Sequence, residues 1–173
     1  MPVIVCPGIH ATELTDRFVQ ALQPIVQQEF IVLPARQYPT YSALAVYQWL
    51  VQQQLSISEP LTFVCFSAGV VGGFGAALAW RVQGGKIHRF VAIDGWGMPL
   101  IANFPIYRVS HDYFTHWSSA ILWTGQSGFY ADPPVEHLEI WRSPEACYGW
   151  QVIRSGLKSR DTLLDYLANT LNS

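Results

Sequence analysis

Apolar residues in the first half of the chain alternate between short continuous runs and helical stripes. Four runs are rich in β-branched and aromatic residues, as strands are. The segments between them repeat apolar residues at every third or fourth position or are almost wholly apolar, both of which are typical of helices. Pro24 should kink the first helix, and Gly84-Gly85 should end the third. The pattern predicts strands at 2–6, 30–34, 61–66 and 87–93, and helices at 12–28, 42–55 and 68–83.

The predicted strands read mostly as continuous apolar runs instead of alternating with polar residues. Such strands are buried on both faces, as in parallel sheets that carry helices on each side. The repeated strand–helix order gives the same architecture. We therefore expect an α/β fold, a three-layer sandwich with a mostly parallel central sheet.

The pattern weakens after residue 94. Residues 95–104 are too few for a helical crossover between parallel strands, which takes about a dozen residues or more. Neither a repeat nor a linker interrupts the sequence, so we expect one domain over residues 1–173. The remaining predicted elements are a strand at 105–110, a short helix at 114–124, a final strand at 135–142, and a last helix capped by Ser159 and carrying Leu163, Leu164, Leu167 and Leu171.

Composition excludes several classes of protein. Only 13% of the residues are charged and the net charge is -2, so no basic surface is expected for nucleic acid. No apolar run reaches the ~18 residues of a membrane span, and the N-terminus lacks the pattern of a signal peptide. Three widely spaced cysteines suit a reducing compartment. We expect a cytoplasmic protein.

The strongest motif is Cys65-Phe66-Ser67-Ala68-Gly69, between a predicted strand and a predicted helix. A serine on such a turn exposes its hydroxyl above the sheet, and small neighbours let strand and helix approach closely. The helix start supplies backbone N–H groups, so the N–H of Ala68 can face a developing oxyanion. The simpler alternative is a serine that only caps a helix.

This motif and its setting resemble the α/β-hydrolase superfamily over residues 2–94. The resemblance implies that Ser67 is a nucleophile and that a second oxyanion donor follows the first strand, at Ile9 or His10. A plain strand-to-helix turn is the alternative for that loop. Cys65 replaces the usual first glycine, the chain begins at the family's third strand, and no cap domain is visible. Absent strands would expose a sheet edge, which a homodimer would cover.

A nucleophilic serine needs a base, and the base needs an orienting acid. Functional groups gather at the carboxyl ends of parallel strands. Asp94 ends the fourth predicted strand and His111 ends the next, so Ser67, Asp94 and His111 form the first-choice triad. An acid at the position of Asp94 is a known variant in the superfamily.

Other pairings stay open. Asp112 with His137 faintly resembles the acid and histidine segments of fungal triacylglycerol lipases, and His116 is a third candidate base. His88, at the far end of a strand, should be structural. Each polar residue also has a structural explanation, such as a turn at Asp94 or a helix cap at Asp112.

Aromatic residues are dense between positions 96 and 130, and most should pack in the core. Trp96, Tyr113 and Phe114 adjoin strand ends and are expected to line a substrate pocket. The histidine spacing does not suit a metal site, and the glycines after Ser67 do not form a dinucleotide fingerprint. We expect neither metal nor cofactor.

These inferences favour a serine hydrolase that acts on an ester or thioester of a small, mostly apolar acyl group. The rival is a non-catalytic binding or scaffolding protein on the same fold, since fold alone does not establish function. A histidine nitrogen within about 3–4 Å of the Ser67 hydroxyl would favour the enzyme.

Overall fold

The structure is a computed structural model that describes residues 1–95, 97–120, 127–154 and 157–173. Within these ranges the chain forms eight strands and six helices. The strands are β1 (Val3–Cys6), β2 (Phe30–Val32), β3 (Leu61–Phe66), β4 (Ile87–Ile93), β5 (Ile106–Ser110), β6 (Ser127–Ala131), β7 (Tyr148–Arg154) and β8 (Leu157–Thr162). The helices are α1 (Thr12–Leu22), α2 (Ala43–Gln52), α3 (Ala68–Val82), α4 (Tyr113–Ala120), α5 (Glu139–Arg142) and α6 (Leu163–Asn172).

The strands form a single sheet in the order β2-β1-β3-β4-β5-β6-β7-β8. Pairing is parallel from β2 to β6 and antiparallel for β6–β7 and β7–β8. Phe66 and Ile93, the last residues of β3 and β4, are register partners. The residues that follow these two strands therefore start from the same level at one edge of the sheet.

Each face of the sheet has its own apolar core. Alternate strand residues such as Cys65 and Phe90 pack on one side with α2 and α3. Their neighbours, such as Phe66 and Ile93, pack on the other side with α1, α5 and α6. This arrangement confirms the α/β three-layer architecture and explains why the central strands are mostly apolar on both faces.

The first half of the fold has the elements that the sequence predicts, but β2 and α2 end two or three residues early, and α1 ends at Leu22 instead of continuing to residue 28. Pro24 lies just beyond this end, where a proline is compatible with helix termination. Strand β5 pairs parallel to β4 although no helix lies between them in the described residues. The connection between β4 and β5, residues 94–105, meets the minimum of about a dozen residues that a parallel connection needs.

The second half needs three corrections. The strand predicted at 135–142 is wrong: part of this segment is the short helix α5, at Glu139–Arg142. Ser159 belongs to β8, and the cap of α6 is Thr162, whose side chain accepts a hydrogen bond from the N–H of Asp165. Strands β6, β7 and β8 were not predicted. Helix α4 is described over Tyr113–Ala120, and the rest of the predicted helix at 121–124 lies outside the described residues.

Across the described ranges, no helix combines the length and apolar character needed to cross a membrane.

Candidate active site

Ser67 occupies a strained turn between β3 and α3. Its φ is +52° and its ψ is -121°, a conformation that residues other than glycine rarely adopt. Its N–H donates to the carbonyl of Ile93 on the neighbouring strand, at 2.9 Å. This bond ties the turn to the end of β4 and fixes where the hydroxyl emerges.

Glycines allow α3 to lie close to the sheet. A Cβ on Gly69 would lie 2.2 Å from the carbonyl oxygen of Cys6 and 2.5 Å from that of Pro7, so a side chain there would collide with β1 backbone. A Cβ on Gly73 would lie 2.4 Å from Sγ of Cys65. The thiol of Cys65 therefore occupies space left by Gly73, which explains how a cysteine fits two residues before the serine.

Asp94 follows β4 and also has a positive φ, +51°. Its side chain is only 1% exposed, yet both oxygens have partners. Oδ1 accepts the backbone N–H of His111 at 2.9 Å, while Oδ2 lies 2.8 Å from Nδ1 of His111 and 2.8 Å from Nδ1 of His137. Two imidazoles thus share one carboxylate oxygen.

His137 joins this carboxylate to the serine. Its Nε2 lies 3.0 Å from Oγ of Ser67. In the neutral tautomer that donates its Nδ1–H to Asp94, Nε2 carries no hydrogen and accepts a hydrogen bond from the hydroxyl of Ser67. Ser67, His137 and Asp94 therefore form a continuous hydrogen-bonded chain in which an imidazole can take the serine proton and a carboxylate can stabilise the resulting cation.

A stack of aromatic rings holds His137 in place. Its ring lies 4.8 Å from that of Phe66 at an interplanar angle of 24°. Phe66 stacks on Trp141 at 5.0 Å, and Trp141 stacks on Phe18 at 3.6 Å. Phe66, Trp141 and Phe18 are buried, so the exposed imidazole rests on a rigid column that reaches from β3 to α1.

The hydrogen-bonded network shifts the pKa values of Asp94 and His111. Burial disfavours the charged form of Asp94, but hydrogen bonds from His111 and His137 outweigh it and hold the pKa of Asp94 below its ordinary value. The hydrogen bond to Asp94 raises the pKa of His111, assisted by the charges of Asp94, Asp112 and Glu136 and opposed by burial. The carboxylate of Asp94 is accordingly ionised at neutral pH.

The structure separates the remaining candidates for base and acid. His111 bonds to Asp94, while the bond to Ser67 comes from His137. Asp112 accepts the N–H of Thr115 at 2.6 Å, so it caps α4, and its Oδ2 lies 3.5 Å from Nε2 of His111. His116 is buried against β6, where burial lowers its pKa to about 4. The geometry thus combines the acid of the first-choice triad with the histidine of the alternative.

The loop after β1 lies beside the serine. A Cβ on Gly8 would lie 3.0 Å from the Cβ of Ser67. The Ile9 side chain is 76% exposed, whereas the His10 ring packs on Phe66 and Trp141. Burial and the charge of His137 lower the pKa of His10. The backbone of Ile9 and His10 and the N–H of Ala68 at the start of α3 remain the predicted oxyanion donors.

A cavity of about 510 Å³ opens over the serine. Its walls combine the polar chain with apolar side chains, and its lining residues are Ser67, Ala68, Val71, Asp94, Gly95, Met98, His111, Phe114, Thr115 and His137. Phe114 lines it as expected. Tyr113 instead lines a separate cavity with Tyr130 and Lys158. Trp96 lies outside the described residues. The volume is in the range that accommodates small organic ligands.

Asp94, His111 and His137 also form a cluster of potential metal-binding side chains, with one ligand atom of each within 4.8 Å of the others. Their hydrogen bonds to one another already account for this proximity. The grouping therefore does not by itself indicate a metal ion.

Sequence reasoning missed the pairing of His137 with Asp94 and the role of Phe66 and Trp141. Glu136 and Leu138 flank His137, and the predicted strand over this segment placed the histidine away from the sheet edge. Val135, whose N–H donates to the carbonyl of His111 at 3.1 Å, ties the segment to the end of β5 instead. Nothing in the local sequence pattern indicates this long-range contact.

A scan against models of protein families gave no match to the chain, and a search of curated proteins gave none either.

Proposed function

We propose that the protein is a serine hydrolase of the α/β-hydrolase type that cleaves an ester or thioester of a small, mostly apolar acyl group. The observation that carries the proposal is the chain Ser67–His137–Asp94, with distances of 3.0 Å and 2.8 Å, at the floor of a cavity. The distance from Ser67 to His137 meets the geometric requirement for a general base.

In the first half-reaction, Oγ of Ser67 attacks the carbonyl carbon as Nε2 of His137 takes its proton. Asp94, ionised and immobile, stabilises the imidazolium. The backbone N–H groups near Ala68 and Ile9 would hold the oxyanion. Collapse of the intermediate expels the alcohol or thiol, which receives the proton from His137, and leaves an acyl group on Ser67.

In the second half-reaction, His137 removes a proton from water, which attacks the acyl carbonyl. The acid is released and the proton returns to Ser67. Every group in this cycle belongs to the chain, and His137 acts in turn as base and acid.

The acyl preference follows from the cavity walls. Val71, Met98 and Phe114 supply apolar surface, and no lysine or arginine is among the lining residues in the described ranges. Burial of an uncharged acyl chain there is favourable. A carboxylate on the acyl chain would lose its hydration there without gaining a cationic partner.

The first test is labelling with a fluorophosphonate, which reacts with activated serines. The wild-type protein should be labelled, Ser67→Ala should not be, and Ser58→Ala, which changes an exposed serine before the start of β3, should be labelled as wild type. Hydrolysis of p-nitrophenyl butyrate should follow the same order. A folded wild-type protein that is neither labelled nor active would refute the proposal and favour a binding protein on this fold.

A further inference from the structure

His111 is the feature of the site that the proposed cycle does not use. Its Nδ1 and that of His137 lie at the same 2.8 Å distance from Oδ2 of Asp94. The two rings are nearly perpendicular, at 82°, with centroids 6.0 Å apart. His111 is also held by its own N–H, which donates to Oδ1 of Asp94. His111 thus makes two hydrogen bonds to Asp94, whereas His137 makes one.

The shared acceptor fixes the protonation of both rings. Each must carry a hydrogen on Nδ1 to donate to Oδ2 of Asp94. In neutral His111 the unprotonated Nε2 then lies 3.5 Å from Oδ2 of Asp112, so two lone pairs face each other. A proton on Nε2 turns this contact into an attraction and places the imidazolium of His111 between two carboxylates.

The surroundings favour that cation. The charged and titratable groups facing His111 are Asp94 at the end of β4, Asp112 beside it, and Glu136 and His137 from the segment before α5. Three are carboxylates, and they raise the pKa of His111. His111 can therefore be charged in a pH range where an ordinary histidine is neutral.

We propose that His111 is a positioning residue whose charge sets how strongly Asp94 supports His137, so that the reaction runs fast only when His111 is neutral. This inference rests on the proposed function. With His111 neutral, the imidazolium formed on His137 is balanced by Asp94. With His111 charged, two cations share that carboxylate, so Asp94 stabilises the imidazolium of His137 less and the two positive rings repel each other.

The size of the effect follows from the separation of the rings. Two unit charges 6.0 Å apart, at the effective dielectric constant of a protein surface, alter the rate by about ten- to a hundredfold. The plot of kcat/KM against pH should therefore rise in two steps. The upper plateau, about ten- to a hundredfold above the lower one, is reached once His111 is neutral.

Two variants isolate the contribution of His111. His111→Asn keeps a side-chain N–H near the position of Nδ1 but cannot titrate, so its profile should rise in one step. Asp112→Asn keeps an oxygen to cap α4 but removes a negative charge beside His111. The pKa of His111 should fall, so the upper step should move to lower pH. Glu59→Gln, which changes a carboxylate that pairs with the N-terminus beyond the other end of β3, should leave the profile unmoved. A structural role for His111 alone would leave neither signature.

The pH profiles are measured with p-nitrophenyl butyrate, together with NMR titration of the histidine ring nitrogens in the intact protein. The NMR titration should place the ionisation of His111 above that of an ordinary histidine and show the signals of His137 responding to it. Two steps in His111→Asn, or an upper step unmoved in Asp112→Asn, would overturn the inference. So would NMR signals of His137 that ignore His111. Absence of any labelling or hydrolysis would instead refute the proposed function, and the NMR experiment would still test the contact between the two histidines.

Discussion

Ser67 and Asp94 occupy equivalent positions on adjacent strands. Each is the first residue past the end of its strand, and their φ angles are +52° and +51°. The strands end in register at Phe66 and Ile93. Residues other than glycine hold such a conformation at a cost of about 1–3 kcal/mol, and such strain is concentrated at functional sites. Two neighbouring turns thus both hold a positive φ at the edge where the polar chain is assembled.

Asp94→Asn should abolish most activity without unfolding the protein. Asparagine tolerates positive φ, so the turn should survive, but the neutral amide cannot stabilise the imidazolium of His137. We expect kcat to fall by about 10³–10⁴-fold. The measurement is p-nitrophenyl ester hydrolysis, with the circular dichroism spectrum as the control for folding. Activity within tenfold of wild type would show that Asp94 is not the acid.

Phe66→Leu should loosen His137 without destroying the fold. The ring of Phe66 stacks on that of His137, and leucine cannot replace the flat surface. Phe63→Leu is the matched control, since Phe63 lies on the same strand, is equally buried and packs in the opposite core. Both should lose about 1–2 kcal/mol of unfolding free energy.

Only Phe66→Leu should also lower kcat, by about tenfold, since misplaced catalytic groups slow a reaction steeply. Chemical denaturation and steady-state kinetics on both variants test this. Equal kcat values in the two variants would mean that the stack does not position the histidine.

Val71→Trp should shorten the acyl chains that the protein accepts. Val71 lines the cavity on α3, and a larger side chain would fill part of it. Loss of space for two methylenes corresponds to about tenfold in kcat/KM. Octanoyl esters should therefore lose about tenfold relative to acetyl esters. Leu78→Trp is the control, because Leu78 is also exposed on α3 but two turns away from the cavity. A parallel loss for both chain lengths would place the acyl group elsewhere.

His116 should make the protein less stable in acid. Burial lowers its pKa from 6.5 to about 4, with help from the charges of Lys158 and Arg108. Between these values the unfolded chain binds a proton that the folded protein does not, so stability falls as pH decreases. From pH 7.5 to pH 5 this one group should remove about 2 kcal/mol of unfolding free energy.

The test compares urea denaturation of the wild type and His116→Asn at both pH values. The variant should lose about 2 kcal/mol less over this interval. The same loss in both proteins would mean that His116 is protonated in the folded state.

The sequence predicts the fold well where burial dictates residue type. Strands β1, β3 and β4 are buried on both faces, and their apolar runs locate them within a residue or two. The turn at Ser67 is also predictable, because α3 lies so close to β1 at Gly69 that only glycine fits there, and the sequence shows that glycine. Asp94 is predicted to lie near Ser67 because the carboxyl ends of neighbouring parallel strands meet at the same edge of the sheet.

The antiparallel part of the sheet, β6 to β8, cannot be predicted from apolar runs in this way. Strand β8 carries Lys158, Arg160 and Asp161 and has exposed residues along most of its length, so its polar sequence resembles a loop. The histidine that contacts Ser67 comes from an irregular segment, 70 residues further along the chain. Its place depends on stacking against Phe66 and on the contact of Val135 with His111, and neither leaves a periodic pattern.

The exposure of His137 has a consequence for the fate of an acyl group on Ser67. The imidazole is 44% exposed, so in the proposed cycle solvent molecules can reach the base of the second half-reaction directly. Water then has no privileged route to the acyl carbon over other small hydroxyl compounds. Added methanol or ethanol should divert acyl groups into new esters in proportion to its concentration. If the proposed function holds, the same site would therefore also transfer acyl groups to added alcohols.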